Sequence, residues 1–346
     1  MMTNKENEPL EKSSLTDPFN RRITYLRLSV TDRCDLRCTY CMSEKMTFLN
    51  KKEVLTFEEM YKLCSGFIKV GIKKIRITGG EPLVRKGIMD FFEMLKVHLA
   101  TDLDELTLTT NGTQLYKYAS QLFTHGVRRI NVSLDTLDPI KYKLITRIGN
   151  LKDVLTGIEA AKDANLRVKI NCVALKNINE NEIDKFINWC VEKDFDLTFI
   201  ETMPMGDIGN ENRLNHFLSL DDLKKNITKR YNLEDISFST GGPARYSKLS
   251  GSDIKLGFIT PLSNNFCSSC NRVRIDATGV MHQCLGQSNS LDFRKILRDP
   301  FSTSDELLNI IKNSVKKKPE KHSFAYDFSK ENIKGQINRH MSLTGG

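Results

Sequence analysis

Three cysteines within the eight residues Cys34–Cys41 restrict this chain more than any other stretch. They lie in Thr31-Asp-Arg-Cys34-Asp-Leu-Arg-Cys38-Thr-Tyr40-Cys41-Met42, a loop that follows the apolar run Tyr25–Val30. A structural zinc takes four tetrahedral ligands, with cysteines in pairs. Three thiolates with no fourth nearby suit an iron–sulfur cubane better: each holds one iron, and one iron stays open to an outside ligand. Spacing alone keeps a zinc knuckle in play.

A second group follows much later. Cys267 and Cys270 form a Cys-x2-Cys pair, and Cys284 follows after a gap of thirteen residues that contains the turn signal Thr278-Gly279. With His282 as fourth ligand this is a zinc set; with three ligands it is a second cluster site. Cys64, Cys172 and Cys190 lie in apolar helix or strand patterns and read as core fillers. Nine cysteines and no export signal point to a reducing, cytoplasmic setting, with metal ligands and buried thiols rather than disulfides. No apolar stretch is long enough to span a bilayer. Residues 1–20 read as a polar, disordered lead-in. The formal charge of +9 predicts attraction to polyanions, nucleic acid and nucleoside triphosphate alike.

Through the first two hundred residues, short β-rich runs alternate with longer amphipathic stretches. Strands are expected at Tyr25–Val30, Lys74–Thr78, Glu105–Thr109, Arg129–Ser133, Arg167–Ala174 and Asp196–Glu201, and helices at Thr56–Val70 and Gly87–Leu99. Alternation of this kind implies parallel strands joined by right-handed crossovers. The fold class is therefore α/β, a partial, open (β/α)6 barrel over residues 21–215. Residues 216–346 form a C-terminal region that carries the second cysteine group. Ligand-handling residues belong just after the strands. There lie the cysteine loop, Gly79-Gly80-Glu81-Pro82, Thr109-Thr110-Asn111-Gly112 and Ser133-Leu134-Asp135. The two glycines promise close backbone approach or unusual torsions.

Arg27, Arg76 and Lys169 sit inside strands, opposite their apolar neighbours. A cation facing the lumen is costly unless it meets an anion. Three of them argue for an anionic ligand such as a triphosphate. Arg272 and Arg274 alternate along an extended segment beside the second cysteine pair, and guanidinium forks suit carboxylate or phosphate. A solvated basic strand is the plainer reading. The lysine-rich stretch Lys316–Lys321 is either a docking site or a solvated run.

Taken together, these motifs resemble the radical S-adenosylmethionine (SAM) superfamily. Within it the chain is similar to the GTP 3′,8-cyclases of molybdenum cofactor biosynthesis, from about Arg21 to the closing Gly345-Gly346. The resemblance implies a radical SAM barrel with a C-terminal extension carrying a second cluster. Cys34, Cys38 and Cys41 would hold one [4Fe–4S] cluster and Cys267, Cys270 and Cys284 another. Tyr40, Gly80, Ser133 and Met203 would touch SAM, and Gly79-Gly80-Glu81-Pro82 would take its amino group. Arg27, Arg76, Thr109, Lys169, Arg272 and Arg274 would bind GTP. Gly345 and Gly346 would reach into the active site, acting there with Arg272 and Arg274. Implied partners are GTP, an electron donor and the next pathway enzyme, cyclic pyranopterin monophosphate synthase. Neither nucleic acid nor membrane is expected, and the resemblance leaves single chain and homodimer open. Thr198 departs from the family pattern, which has arginine there, with Lys169 and Arg76 as candidate substitutes. The rival readings are a radical SAM enzyme of different substrate and a zinc-containing nucleic-acid-binding protein.

Overall fold

A computed structural model describes residues 15–206, 215–327, 332–334 and 337–345. All six expected strands form: β1 (Tyr25–Ser29), β2 (Lys74–Thr78), β3 (Glu105–Thr110), β4 (Arg129–Ser133), β5 (Arg167–Val173) and β6 (Asp196–Ile200). They pair in sequence order, every pair parallel. The crossovers carry α1 (Phe57–Lys69), α2 (Ile88–Lys96), α3 (Leu115–Thr124), α4 (Pro139–Thr146) followed by α5 (Leu151–Asp163), and α6 (Ile183–Lys193). The start of α1 shows why these segments are helical. Thr56 and Glu59 make a reciprocal capping box, and the apolar stripe Met60, Leu63, Cys64 and Phe67 is buried against the sheet layer.

The later chain does not build a separate layer. Its strands are β7 (Leu233–Ile236), β8 (Arg245–Leu249), β9 (Lys255–Ile259), β10 (Arg272–Ile275), β11 (Val280–His282) and β12 (Ser290–Asp292). β10 adds parallel to β1, and β9 adds parallel to β6. The sheet order is β12-β11-β10-β1-β2-β3-β4-β5-β6-β9-β8-β7. A division at residue 215 therefore falls inside one continuous sheet, whose two flanks both come from the C-terminal third. Val273 and Ile275 bury toward the core, which leaves the alternate residues Arg272 and Arg274 for the opposite face. A helix over Leu220–Thr228, capped by Ser219, leads into β7.

The lead-in also differs from expectation. Leu15 and Asp17 are buried, Ile23 N donates to Leu15 O, and Arg21 pairs with Asp17 at 2.6 Å. Arg21 further donates to the carbonyls of Cys267, Pro319 and Glu320, so packing begins before residue 21; residues 1–14 lie outside the described residues. Among the described residues no helix is long and apolar enough to cross a membrane.

Candidate active site

Strand ends, both cysteine groups and the inward cations meet at one cavity. Its volume is about 280 Å³. Cys34, Cys38 and Cys41 line it, as do Cys267, Cys270 and Cys284. All six are free thiols, and among the described residues no three His, Cys, Asp or Glu converge on a single ion position. Three thiols in each group match the ligand number of a cubane with one open iron and fall one short of a structural zinc set. His282 is not a spare ligand either: its Nε2 lies 3.0 Å from Asp276 Oδ2, and its Nδ1 lies 3.1 Å from Arg339 Nη1.

The first triad sits among carboxylates and amides. Asp35 accepts from Asn111 Nδ2 and Thr113 Oγ1, both at 2.6 Å, which ties the cysteine loop to the end of β3. Tyr40 donates to Asp135 Oδ2 at 2.6 Å, and Asp135 Oδ1 accepts from Val173 N. Burial lifts the Asp135 carboxyl to about 6 and the Cys41 thiol to about 11. The glycines work by close approach: a Cβ on Gly80 would stand 2.3 Å from Arg33 O, and one on Gly79 2.7 Å from Thr31 O. Neither adopts positive φ, so unusual torsion is not their role. Glu81 turns away from the cavity. It is fully buried and accepts from Leu83 N, Thr110 Oγ1 and Asn111 N. Burial raises its carboxyl to about 8. Gly79-Gly80-Glu81-Pro82 thus offers the cavity backbone, not carboxylate.

The opposite wall is cationic. Arg274, Arg27 and Arg76 stand side by side on β10, β1 and β2, in register. Like charges directly opposed across a sheet are destabilising, and all three are buried. Lys169 joins them from β5, its Nζ 3.1 Å from Tyr246 Oη. Burial first, then the neighbouring cations, hold Lys169 and Arg274 well below their usual ranges and Arg27 down to about 10. Burial pushes the Tyr25 phenol up, but Arg76, Arg27, Lys74 and Arg272 outweigh it and hold it below its ordinary value. The two carboxylates on the wall are committed elsewhere, Asp135 to Tyr40 and Glu201 to Leu220 N, Leu262 N and Ser263 N. Arg76 Nε is buried with no partner among the described residues.

The second triad lies on this cationic side. Burial raises the Cys270 thiol, yet Arg272 and Lys318 more than offset it and bring it down to about 6. Lys318 is buried and donates to Arg272 O at 2.9 Å and Gln283 O at 2.6 Å, pinning β10 to the residue before Cys284. The segment Met341–Thr344 bridges both halves. The Ser342 backbone hydrogen-bonds Cys41, while Gly345 O accepts from Arg274 Nη1 at 2.6 Å.

The chain matches the model of the radical SAM superfamily over residues 28–190 and that of Molybdenum Cofactor Synthesis C over residues 195–324. It is 53% identical to the GTP 3′,8-cyclase of Paracoccus denitrificans over 332 residues, 96% of each chain. It is 52% identical to that of Brucella ovis over 349 residues, 100% of each. The chain belongs to the GTP 3′,8-cyclase family. Streptococcus suis SuiB bound to S-adenosylmethionine shares the fold, with TM-score 0.61 at 15% identity over 87% of this chain and 76% of SuiB.

For this family member, the cavity gathers Tyr40, Gly80, Ser133 and Met203 beside the first triad's loop and strand ends, and Arg27, Arg76, Thr109, Lys169, Arg272 and Arg274 from the sheet. Gly345 backs the wall through Arg274 and Thr78 rather than lining it, and Gly346 lies outside the described residues. Thr198 is fully buried beside Asn171 and Gly257, and its Oγ1 finds no partner among the described residues. The Tyr246 ring reaches within 3.0 Å of where a Gly257 Cβ would stand, next to Thr198, with its hydroxyl on Lys169. Reasoning from the sequence missed Asp135 and Asn111 as braces and Lys318 as a staple. The first two stand within quoted strand-end motifs, and only their partners reveal the role. Lys318 hides in a run whose other lysines are exposed.

Proposed function

We propose that this chain converts GTP to (8S)-3′,8-cyclo-7,8-dihydroguanosine 5′-triphosphate for molybdenum cofactor biosynthesis. The carrying observation is the in-register row Arg274–Arg27–Arg76 buried on the wall of a cavity shared with two cysteine triads. Such a row is unfavourable until an anion lies across it, and a triphosphate supplies several oxygens to bidentate forks.

Cys34, Cys38 and Cys41 would hold one [4Fe–4S] cluster, and Cys267, Cys270 and Cys284 a second. With SAM bound, the first supplies a 5′-deoxyadenosyl radical able to take hydrogen from an unactivated ribose carbon. The protein's own part is positioning. Asn111, Thr113 and Asp135 fix the loop that carries Tyr40, and the Gly79-Gly80 backbone leaves room beside it. Arg27, Arg76, Lys169, Arg272 and Arg274 would grip the nucleotide so that C3′ faces the first triad and the guanine the second. C8 then lies within reach of the C3′ radical. Lys169, hydrogen-bonded to Tyr246, lies on β5 two residues before Asn171, the register partner of Thr198, which supports the reading that it substitutes for the missing arginine. An electron donor and cyclic pyranopterin monophosphate synthase are the expected partners.

The test is oxygen-free reconstitution followed by SAM, GTP and dithionite, with product identified by mass spectrometry. About eight irons per chain are expected. If Arg272→Ala turned over GTP at the wild-type rate, the nucleotide assignment would be wrong.

A further inference from the structure

His322 lies at the second triad's end of the cavity, among its lining residues. The chain reaches it just after Lys318, whose hydrogen bonds hold Arg272 and Gln283. Ser323 then fastens to the loop behind Cys284: its N donates to Gly286 O at 3.3 Å, and its Oγ donates to the same oxygen at 2.9 Å. On the other side Gln287 Nε2 donates to Lys321 O at 3.2 Å. The two segments touch. A Cβ on Gly286 would stand 2.7 Å from His322 Cβ and 2.9 Å from the Phe324 ring, so only glycine leaves room for the imidazole here.

Both ring nitrogens of His322 are closed off from solvent, and neither has a hydrogen-bond partner among the described residues. A shielded polar group left unpaired is costly, and a ligand that enters the cavity would remove the cost. Burial holds the imidazole below its ordinary range, with the Phe324 backbone opposing to a smaller extent. At neutral pH the ring is therefore uncharged, with one N–H donor and one acceptor nitrogen. Its neighbours are flat and apolar. The Phe324 ring centroid lies 5.2 Å away, and Phe266, which carries the Arg272 guanidinium 5.1 Å from its ring centre, lines the same cavity. Gln283 Oε1 is a further buried acceptor without a partner. The cations of β10, β1 and β2 suit phosphate, whereas aromatic rings with a few fixed, uncharged polar groups suit a planar heterocycle.

We infer that His322 reads the base of the nucleotide, its imidazole N–H donating to an acceptor on the guanine edge. This rests on the functional reading above, in which the guanine lies beside the second triad. Guanine presents N7 and O6 as neighbouring acceptors, and the neutral imidazole offers the matching donor. Two tasks are thus divided within one ligand site: the arginine row takes the charge, and His322 takes the heterocycle. A ligand with the triphosphate and no base leaves His322 unused.

The probes are GTP and inorganic tripolyphosphate, titrated calorimetrically and without oxygen into the cluster-loaded, oxidised chain, which does not turn over. The wild type should bind GTP more tightly than tripolyphosphate. His322→Ala should weaken GTP about five- to tenfold, the size of one lost hydrogen bond, and leave tripolyphosphate within about twofold. His322→Gln keeps a donor and should recover most of that loss. Iron should stay at about eight per chain in both variants. GTP affinity retained in His322→Ala overturns the assignment. An equal loss for both ligands, or a loss of iron, also overturns it and makes His322 a packing residue of the Cys284 loop. If the wild type shows the base preference, and His322→Ala loses it, but no cyclised product forms on reduction, the role of His322 stands and the cyclase reading falls. A wild type that binds neither ligand sinks both.

Discussion

The two cysteine triads share one cavity but sit in opposite electrostatic surroundings. Around Cys34, Cys38 and Cys41 stand Asp35, Asp135 and the buried Glu81, and burial keeps the Cys41 thiol at about 11. Around Cys267, Cys270 and Cys284 stand Arg272 and Lys318, with Arg274 next along β10, and the Cys270 thiol falls to about 6. A site edged by backbone carbonyls and the Asp135 carboxylate suits a cationic ligand such as a sulfonium with an ammonium group. A site lined with guanidinium groups suits an anionic one. The contrast supports the proposal that the radical source lies at one end and the nucleotide at the other.

The largest effect expected is on the cationic side. Arg274→Ala removes both a member of the charge row and the anchor of Gly345. Turnover should drop by about 10²–10³ with iron content unchanged, as when one preorganised charge-stabilising donor is lost. Lys318→Met should weaken cluster retention at the second triad alone, by about 10–100-fold, as second-shell losses do. Iron should then fall from about eight to about four per chain, with the first cluster's spectrum intact. Loss from both triads would erase the contrast.

Gly345→Ala tests the bridge between the halves. Its added Cβ would stand within 2 Å of Thr78 Oγ1 on a backbone of φ 71°, so the Met341–Gly345 segment must shift. Turnover should fall about tenfold or more through kcat, with GTP binding less affected. The smallest effect is on stability against pH. In the folded metal-free chain Glu81 titrates at about 8 rather than the ordinary 4.5. Between those values the folded state holds the extra proton, so its contribution is full below about pH 4.5 and is lost as pH rises through about 8. Glu81→Gln removes this contribution, and its Tm should decline less than that of wild type from about pH 5 to pH 8.

Much of this was legible in the chain itself. Strand alternation placed Arg27, Arg76 and Lys169 on the lumen face because their neighbours Leu26, Leu28, Ile75, Ile77, Val168 and Ile170 had to be buried. The strand-end rule located Gly80, Thr109 and Ser133. What stayed hidden depends on distant pairing. Nothing local to β10 tells that it lies against β1, so the facing of Arg274 and Arg27 needs the fold. Lys318 reads as solvent-facing until the carbonyls of Arg272 and Gln283 are brought to it. Glu81 reads as a ligand because the motif is polar, whereas Thr110 and Asn111 take up both its oxygens.

Two complementary variants test the division of labour most directly. One carries Cys34→Ala, Cys38→Ala and Cys41→Ala; the other carries Cys267→Ala, Cys270→Ala and Cys284→Ala. Each is reconstituted, reduced and followed by electron paramagnetic resonance. The variant keeping the second triad should respond to GTP and not to SAM, and the one keeping the first triad to SAM and not to GTP. A GTP response at the first triad, or none at the second, would contradict the assignment.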